Sequence, residues 1–514
     1  MDKLSQELID NIVSFLPRRV GEEGVPPWEH RNLPFTLPAL TAVSRGFQRA
    51  VERRTFQELN IKTSDEELSE FERILIPRRQ SSIRTLHVVL LVSPCPSEAE
   101  DGRENYYETD RDRQTDKAVA TAQLRRLWEF LGGWSETFPN VTLNLDTAPS
   151  PDVPDENGDG LQPFTFSLLD LTDDVESFPA LPWVHSVDIR NSVRYWNPRV
   201  PLVLTSRMPE VQHVYWALDE SRYDWGRYYV IDKQYRDGLV EGIRAVRLPS
   251  SVRDFSCLLK PVLHREPGQE LPRFVEEGAH DPVSCAIREL TRDCTSITLK
   301  GPFHPSLFDP PKSGPAAEEQ PYWQQTASLH VEMGLCSPDG SWLFLPRSVD
   351  EIDTSELPEG LIDSTQLPPG YADAEQTPEE VTDYFEDHQE AIVPRSQIDY
   401  HTLDLVPNEE KLDALLAAFA RGCARMPALE IANLRIDYDN DDNWPFQVVC
   451  VAALHRLEYW DVDKADDPKY WRVYIHAHNW RPTEATIAQL KNIGVERNGE
   501  PSTICFLTWG EFYG

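Results

Sequence analysis

With 514 residues, 40% hydrophobic and 26% charged, the chain has enough length and apolar content to bury a large core; a length prior gives about three domains unless the architecture is a repeat. Its 86 acidic against 50 basic residues give a formal net charge of -36, which repels phosphate backbones and anionic lipid and argues against nucleic-acid or membrane-surface binding. No window reaches the roughly 20 apolar residues of a membrane span, and the start lacks the basic residues and apolar run of a secretory signal, so an intracellular protein, cytoplasmic and/or nuclear, is expected.

The first element is a helix. Leu4, Leu8, Ile12, Phe15 and Leu16 recur at helical spacing, and Ile9 and Val13 widen the stripe beyond what one small neighbour can cover. Ser5 suits the N-cap, Arg18 and Arg19 suit the negative end of the helix dipole, and Pro17 is a stop. A second apolar stretch follows from Leu37 through Leu40, Val43, Ser44 and Phe47 to Val51 and Phe56. Together these residues resemble the F-box, the module that attaches substrate receptors to cullin-RING ubiquitin ligases. The family pattern is Leu-Pro-x-Glu-Leu, then Ile-x-x-x-Leu, then a Leu-rich helix with Val-Ser-x-x-Trp. Leu4, Glu7, Leu8, Ile12 and Leu16 match its first half, and Leu40, Val43 and Ser44 its second. Ser5 stands where proline is usual and Phe47 where tryptophan is common. About twenty extra residues, Arg18 to Thr36, separate the halves, and because closure entropy grows slowly with length they can loop out. The resemblance covers roughly the first tenth of the chain. It implies binding of a Skp-type adaptor through Leu4, Leu8, Ile12, Leu16, Leu40 and Val43.

Farther along, one apolar pattern, Leu-x-x-Leu-x-Leu, returns many times. It occurs at Ile83, Leu86, Val88; at Phe138, Val141, Leu143; at Val252, Phe255, Cys257; at Cys294, Ile297, Leu299; at Met426, Leu429, Ile431; and at Leu454, Leu457, Tyr459. Thr326, Leu329 and Val331 form a weaker copy, and a longer sister form runs through Leu181, Val184, Val187, Ile189 and through Met208, Val211, Val214, Trp216. Amphipathic helices precede some copies. One runs from about Lys117 to Leu131 with Leu124, Leu127, Trp128 and Leu131 on one face; others start at Asp281-Pro282 and at Asn408. Helix, turn and short strand repeating at intervals of about 27 and 28 residues in the two cleanest cases fit leucine-rich repeats. The expected fold is therefore an α/β repeat solenoid. A small all-helical F-box module at 1–60, with an insertion at about 18–36, precedes an irregular leucine-rich-repeat-like array at 80–514. The tail from Tyr470 to Gly494, with Trp480-Arg481-Pro482 leading into a helix, resembles the closing segment of uncharacterised F-box proteins from filamentous fungi and reads as a cap on the array.

Three stretches are excursions: Ser97 to Asp116, Ala148 to Pro163, and the strongly acidic 347–394, which lacks the apolar surface to offset its ordering entropy and is expected to be disordered. Asp155, Asn157, Asp159 and Gly160 open like a calcium loop, but Phe166 stands where the bidentate Glu is needed; Asp437, Asp439 and Asp441 fail likewise at Val448. His476 and His478 lack a third ligand motif. Eight cysteines are scattered without a Cys-x-x-Cys pair, which points to reduced thiols. No phosphate loop, dinucleotide fingerprint or nucleophile elbow is present. The expectation is a non-enzyme without cofactor or metal: the substrate-recognition subunit of an SCF-type ligase, whose partners are the adaptor, the cullin and a protein substrate. The alternative is a protein-interaction scaffold outside any ligase. Trp216 and Trp460 are candidate substrate anchors, since exposed aromatics on a solenoid face act as hot spots, and filling the core of wide repeats is the equal alternative.

Overall fold

The computed structural model describes residues 4–14, 40–92, 110–134, 140–149, 168–172, 177–190, 195–218, 229–259, 273–276, 278–309, 323–346, 405–436, 446–452, 470–477 and 480–507. In chain order these form α1 (Gln6–Ser14), α2 (Arg45–Thr55), β1 (Glu58–Lys62), α3 (Asp65–Ile74), α4 (Pro77–Gln80), β2 (Thr85–Val92), α5 (Asp110–Gly132) and β3 (Val141–Pro149). There follow β4 (Leu168–Leu169), β5 (Val184–Arg190), β6 (Tyr195–Trp196), α6 (Arg199–Ser206), β7 (His213–Ala217), α7 (Tyr229–Ala245), β8 (Asp254–Leu258), α8 (Pro282–Leu290) and β9 (Ser296–Lys300). The rest are β10 (Ser328–Met333), β11 (Phe344–Pro346), β12 (Leu405–Pro407), α9 (Glu409–Ala424), β13 (Ile431–Ile436), β14 (Phe446–Val451), β15 (Arg472–His476), α10 (Glu484–Lys491), α11 (Val495–Asn498) and β16 (Thr503–Phe506).

The fold is mixed α/β, built on a mostly parallel sheet of 12 strands in the order β1-β2-β3-β5-β7-β8-β9-β10-β13-β14-β15-β16. That order follows the chain without a swap. Strands β1 to β13 within it are parallel, β14 runs antiparallel to both neighbours, and β15 and β16 are parallel again. Two short pairs, β4 with β6 and β11 with β12, stand outside it.

Register explains why the weak apolar motif suffices. Alternate residues of a strand face opposite sides, so aligned strands stack their apolar positions into rows. One row runs Leu86, Leu143, Val187, Val214, Phe255, Ile297, Leu329 and Ala432. All are buried in one continuous core, together with Leu124, Leu127, Trp128 and Leu131 of α5 and Leu412, Leu415, Leu416 and Phe419 of α9. The helix caps fall where the sequence places them: Asp281 accepts from the Val283 and Ser284 amides, and Asn408 from that of Lys411.

Several expectations need correction, among them the excursion Ala148 to Pro163, whose first two residues belong to β3. In the copy at Met426, Leu429, Ile431 the third position is wrong, because Ile431 pairs with Ser328 on the open face and the core positions are Leu429, Ala432 and Leu434. Alanine marks an apolar position weakly, so the larger Ile431 drew the register off. The excursion Ser97 to Asp116 also ends early, since α5 already starts at Asp110. The copy at Leu454, Leu457, Tyr459 and the acidic stretch 347–394 lie outside the described residues.

Candidate functional site

Helices α1 and α2 make a small pair with its own apolar centre. The Ser5 hydroxyl accepts from the Leu8 amide at 3.4 Å and starts α1; the Ser44 hydroxyl accepts from the Phe47 amide and starts α2. Ile9 and Val13 turn inward onto Leu40, Phe47, Ala50 and Val51, a cluster separate from the core of the sheet. Gly46 permits the close approach, since a Cβ there would lie 2.9 Å from Ile9 Cδ1. Polar ties complete the pair: Gln6 Nε2 donates to the Gly46 carbonyl at 3.3 Å, Arg53 pairs with Asp10, and the Arg54 guanidinium donates to the Val13 carbonyl.

With Ile9 and Val13 inside, the opposite side of α1 faces outward. Leu4, Leu8 and Ile12, four residues apart, are 42%, 52% and 44% exposed, and Val43 is 40% exposed. Isolated exposed leucines are ordinary, but Leu8 and Ile12 align on one side of α1 with Leu4 just before its N-cap, which makes an apolar face. Of the six adaptor residues expected from the sequence, these four are open to a partner. Leu40 is buried between the helices and acts as a brace. Leu16 lies outside the described residues.

The two tryptophan anchors fare differently. Trp216 has no exposed surface: its indole N–H donates to Thr205 Oγ1 at 3.3 Å and its ring meets Phe255 edge-on at 5.0 Å. It is a core residue, because its even place in β7 puts it on the helix side of the sheet. Trp460 lies outside the described residues.

The side of the sheet away from the helices is polar along much of its length, and sequence reasoning named none of its residues. Asn144 donates from Nδ2 to His87 Nδ1 at 2.9 Å, and the same device recurs between Asn433 and His330 at 2.9 Å. Gln447 extends the second pair by donating to Asn433 Oδ1 at 3.0 Å. Asp188 holds Arg190, whose guanidinium lies 5.4 Å from the Tyr215 ring centre; His213 pairs with Asp254 at 2.6 Å, and Lys300 with Glu332 at 2.8 Å. Burial, and then the charge of Arg435, push the His330 imidazole down to about 4. Alternation at period two was the signal for this face, once strand register was known.

Ionisable groups also converge around the start of α8. Arg236 Nη2 meets Asp281 Oδ1 at 2.7 Å, Ser284 Oγ donates to Asp281 Oδ2 at 2.6 Å, and Ser306 Oγ lies 2.9 Å from His304 Nδ1. Burial alone would raise the Asp281 carboxyl, but Arg236 and Ser284 outweigh it and hold the group below the usual carboxylate range. These contacts cap a helix and fix the adjoining turn. The Ser306 hydroxyl is buried and also accepts from the Asp281 amide.

Among the described residues no group of three or more His, Cys, Asp or Glu is placed to hold a metal ion, and no helix is long and apolar enough to cross a membrane. His476 is buried in β15. His478 and both acidic calcium-loop candidates lie outside the described residues, apart from Val448. The seven described cysteines are free thiols. No protein-family model matches the chain, and no curated protein matches it.

Proposed function

We propose that this chain is the substrate-recognition subunit of an SCF-type cullin-RING ubiquitin ligase, with α1 and α2 as its F-box and the sheet region as the receptor for a protein substrate. One observation carries the reading: Leu4, Leu8, Ile12 and Val43 lie outward while Ile9 and Val13 bind α1 to α2. A pair of helices that merely capped the array would spend Leu8 and Ile12 against the first strands near Ile83. Here Ile83 belongs to the sheet core and α1 has a separate centre.

The finer fold reading belongs to the same proposal. We take β1 to β13 as an irregular leucine-rich-repeat-like solenoid, supported by the sequential parallel order and by the continuous core on one side of these strands; on the other side a small apolar cluster of Val449, Val451, Tyr474 and Leu507 reaches only Ile431 of β13. In this reading the sequence limits, 1–60 and 80–514, shift at their junction, because β1, α3 and α4 join the sheet and its core, and the compartment is cytoplasmic and/or nuclear. The chain performs no chemistry of its own. It raises the effective concentration of a substrate lysine near the charged ubiquitin carrier, an arrangement of proximity.

Capture of the full-length chain by a purified Skp-type adaptor tests this. Wild type is expected to be retained, and Leu8→Asp/Ile12→Asp to be lost while its circular dichroism and melting stay unchanged. Failure of folded wild type to bind, or equal retention of the variant, would sink the reading and leave a scaffold that delivers nothing to a ligase.

A further inference from the structure

The junction between α2 and the sheet contains an ionised carboxylate that neither the docking face nor the core requires. Glu52 lies on α2 with its side chain only 13% exposed. It pairs with Arg78 and, at 3.3 Å, with Arg79, both on α4 at the start of the sheet, and accepts from Gln48 Nε2 at 3.2 Å one turn back. Arg79 is itself fixed. Its Nη1 donates to the Ile74 carbonyl at 2.9 Å, and its guanidinium lies 4.9 Å from the ring centre of Phe56, the residue that ends α2. Burial alone would raise the Glu52 carboxyl, but the hydrogen bonds from Arg78 and Arg79 outweigh it and hold the group below the usual carboxylate range.

No linker separates the two parts. Gln57 follows Phe56 directly and its carbonyl accepts from the Arg84 and Thr85 amides at 2.8 and 2.9 Å, so the chain leaves α2 and enters the sheet within two residues. A single covalent joint still leaves a helix pair free to pivot; Phe56 at the end of α2 packs against the sheet core, but the apolar centre of the helix pair is separate from that core. The Glu52 bridge spans that joint at a second point.

We propose that Glu52 is a positioning residue, which through Arg78 and Arg79 fixes the direction of the outward face of α1 relative to the open face of the sheet. The inference rests on the docking reading for its purpose: an adaptor held on α1 and a protein held on the sheet then keep one mutual geometry. The anchoring itself does not depend on that reading. A hydrogen-bonded carboxylate with two guanidiniums resists rotation in a way a point charge does not.

Fluorophores introduced as non-canonical residues at Asn11 on α1 and Glu210 before β7, both exposed, report the angle in the full-length chain. Wild type is expected to give one narrow distance distribution. Glu52→Ala should widen it, as expected of a joint without a large apolar interface, with the melting of the sheet unchanged, and Glu52→Asp should restore much of the narrowness. Arg78→Ala/Arg79→Ala is the second route to the same widening should Glu52→Ala fold poorly. An unchanged distribution in both variants overturns the proposal, and so does widening that comes only with loss of sheet structure. Adaptor capture measured on the same samples separates the two readings. Widening without any adaptor binding by wild type keeps the positioning role and removes the docking one.

Discussion

At the scale of single residues, His330 shows what strand pairing does to chemistry. Its Nδ1 accepts from Asn433, so the imidazole is held neutral, and protonation would set two donors against each other inside a partly closed site. Its folded value of about 4 lies below the 6.5 of a free imidazole, so the unfolded chain binds the proton more readily. The stability this provides is complete above pH 6.5 and is lost as pH falls through 4, by up to about 3 kcal/mol. Thermal midpoints taken between pH 7 and 4 should therefore fall more steeply in wild type than in His330→Asn, and parallel curves would refute the assignment. Trp216 makes the complementary point. Its bulk and aromatic character were legible in the sequence, but its side of the strand was not put to use, and alternation with buried Val214 places it inside. Trp216→Ala should cost about 3–5 kcal/mol, as large core truncations do, which a denaturant titration would read directly.

At the scale of elements, the sequence was informative wherever an apolar period and a cap agreed. Helices α5, α8 and α9 carry the buried faces expected of them, and the strand copies at Ile83, Val184, Val211, Val252 and Cys294 all lie on the core side. It misled where small residues carried the register, as at Ala432, and where a charged start concealed a helix, as at Asp110. Of the six residues that the F-box resemblance assigns to an adaptor, Leu4, Leu8, Ile12 and Val43 are exposed and Leu40 is buried, a difference the apolar pattern does not draw. Periodicity alone could not tell which side of a wide stripe faces the partner helix; Gly46, by admitting Ile9, decides it. A tighter constraint sits between α10 and α11. Gly494 has φ +77, and a Cβ there would fall 2.3 Å from the Trp471 ring, which is buried beside β15. Both the left-handed backbone and the indole oppose any side chain, so Gly494→Ala should destabilise by roughly 2 kcal/mol or more. A variant melting like wild type would show that the turn can rearrange.

At the scale of the whole molecule, the division between the two apolar centres has a consequence for cooperativity. The sheet shares one core from Ile61 in β1 to Ile493 beyond α10, so neighbouring strands support one another and open together. Among the described residues, the centre between α1 and α2 is built from Ile9, Val13, Leu40, Phe47, Ala50 and Val51. Apolar burial scales with area, so so small a cluster stabilises its helices far less than the sheet is stabilised. Stability is then uneven along the chain, and the helix pair is the unit that opens first. Native-state hydrogen exchange should show the amides of α1 and α2 exchanging through sub-global opening, while those of β7 to β10 exchange only with global unfolding. The adaptor, if it closes over Leu4, Leu8, Ile12 and Val43, binds the closed pair and not the open one, so its addition should slow exchange in α1 and α2 in proportion to its concentration and leave the central strands unchanged. Uniform protection across both units, or slowing confined to the sheet, would contradict a docking module that depends on its partner for much of its stability.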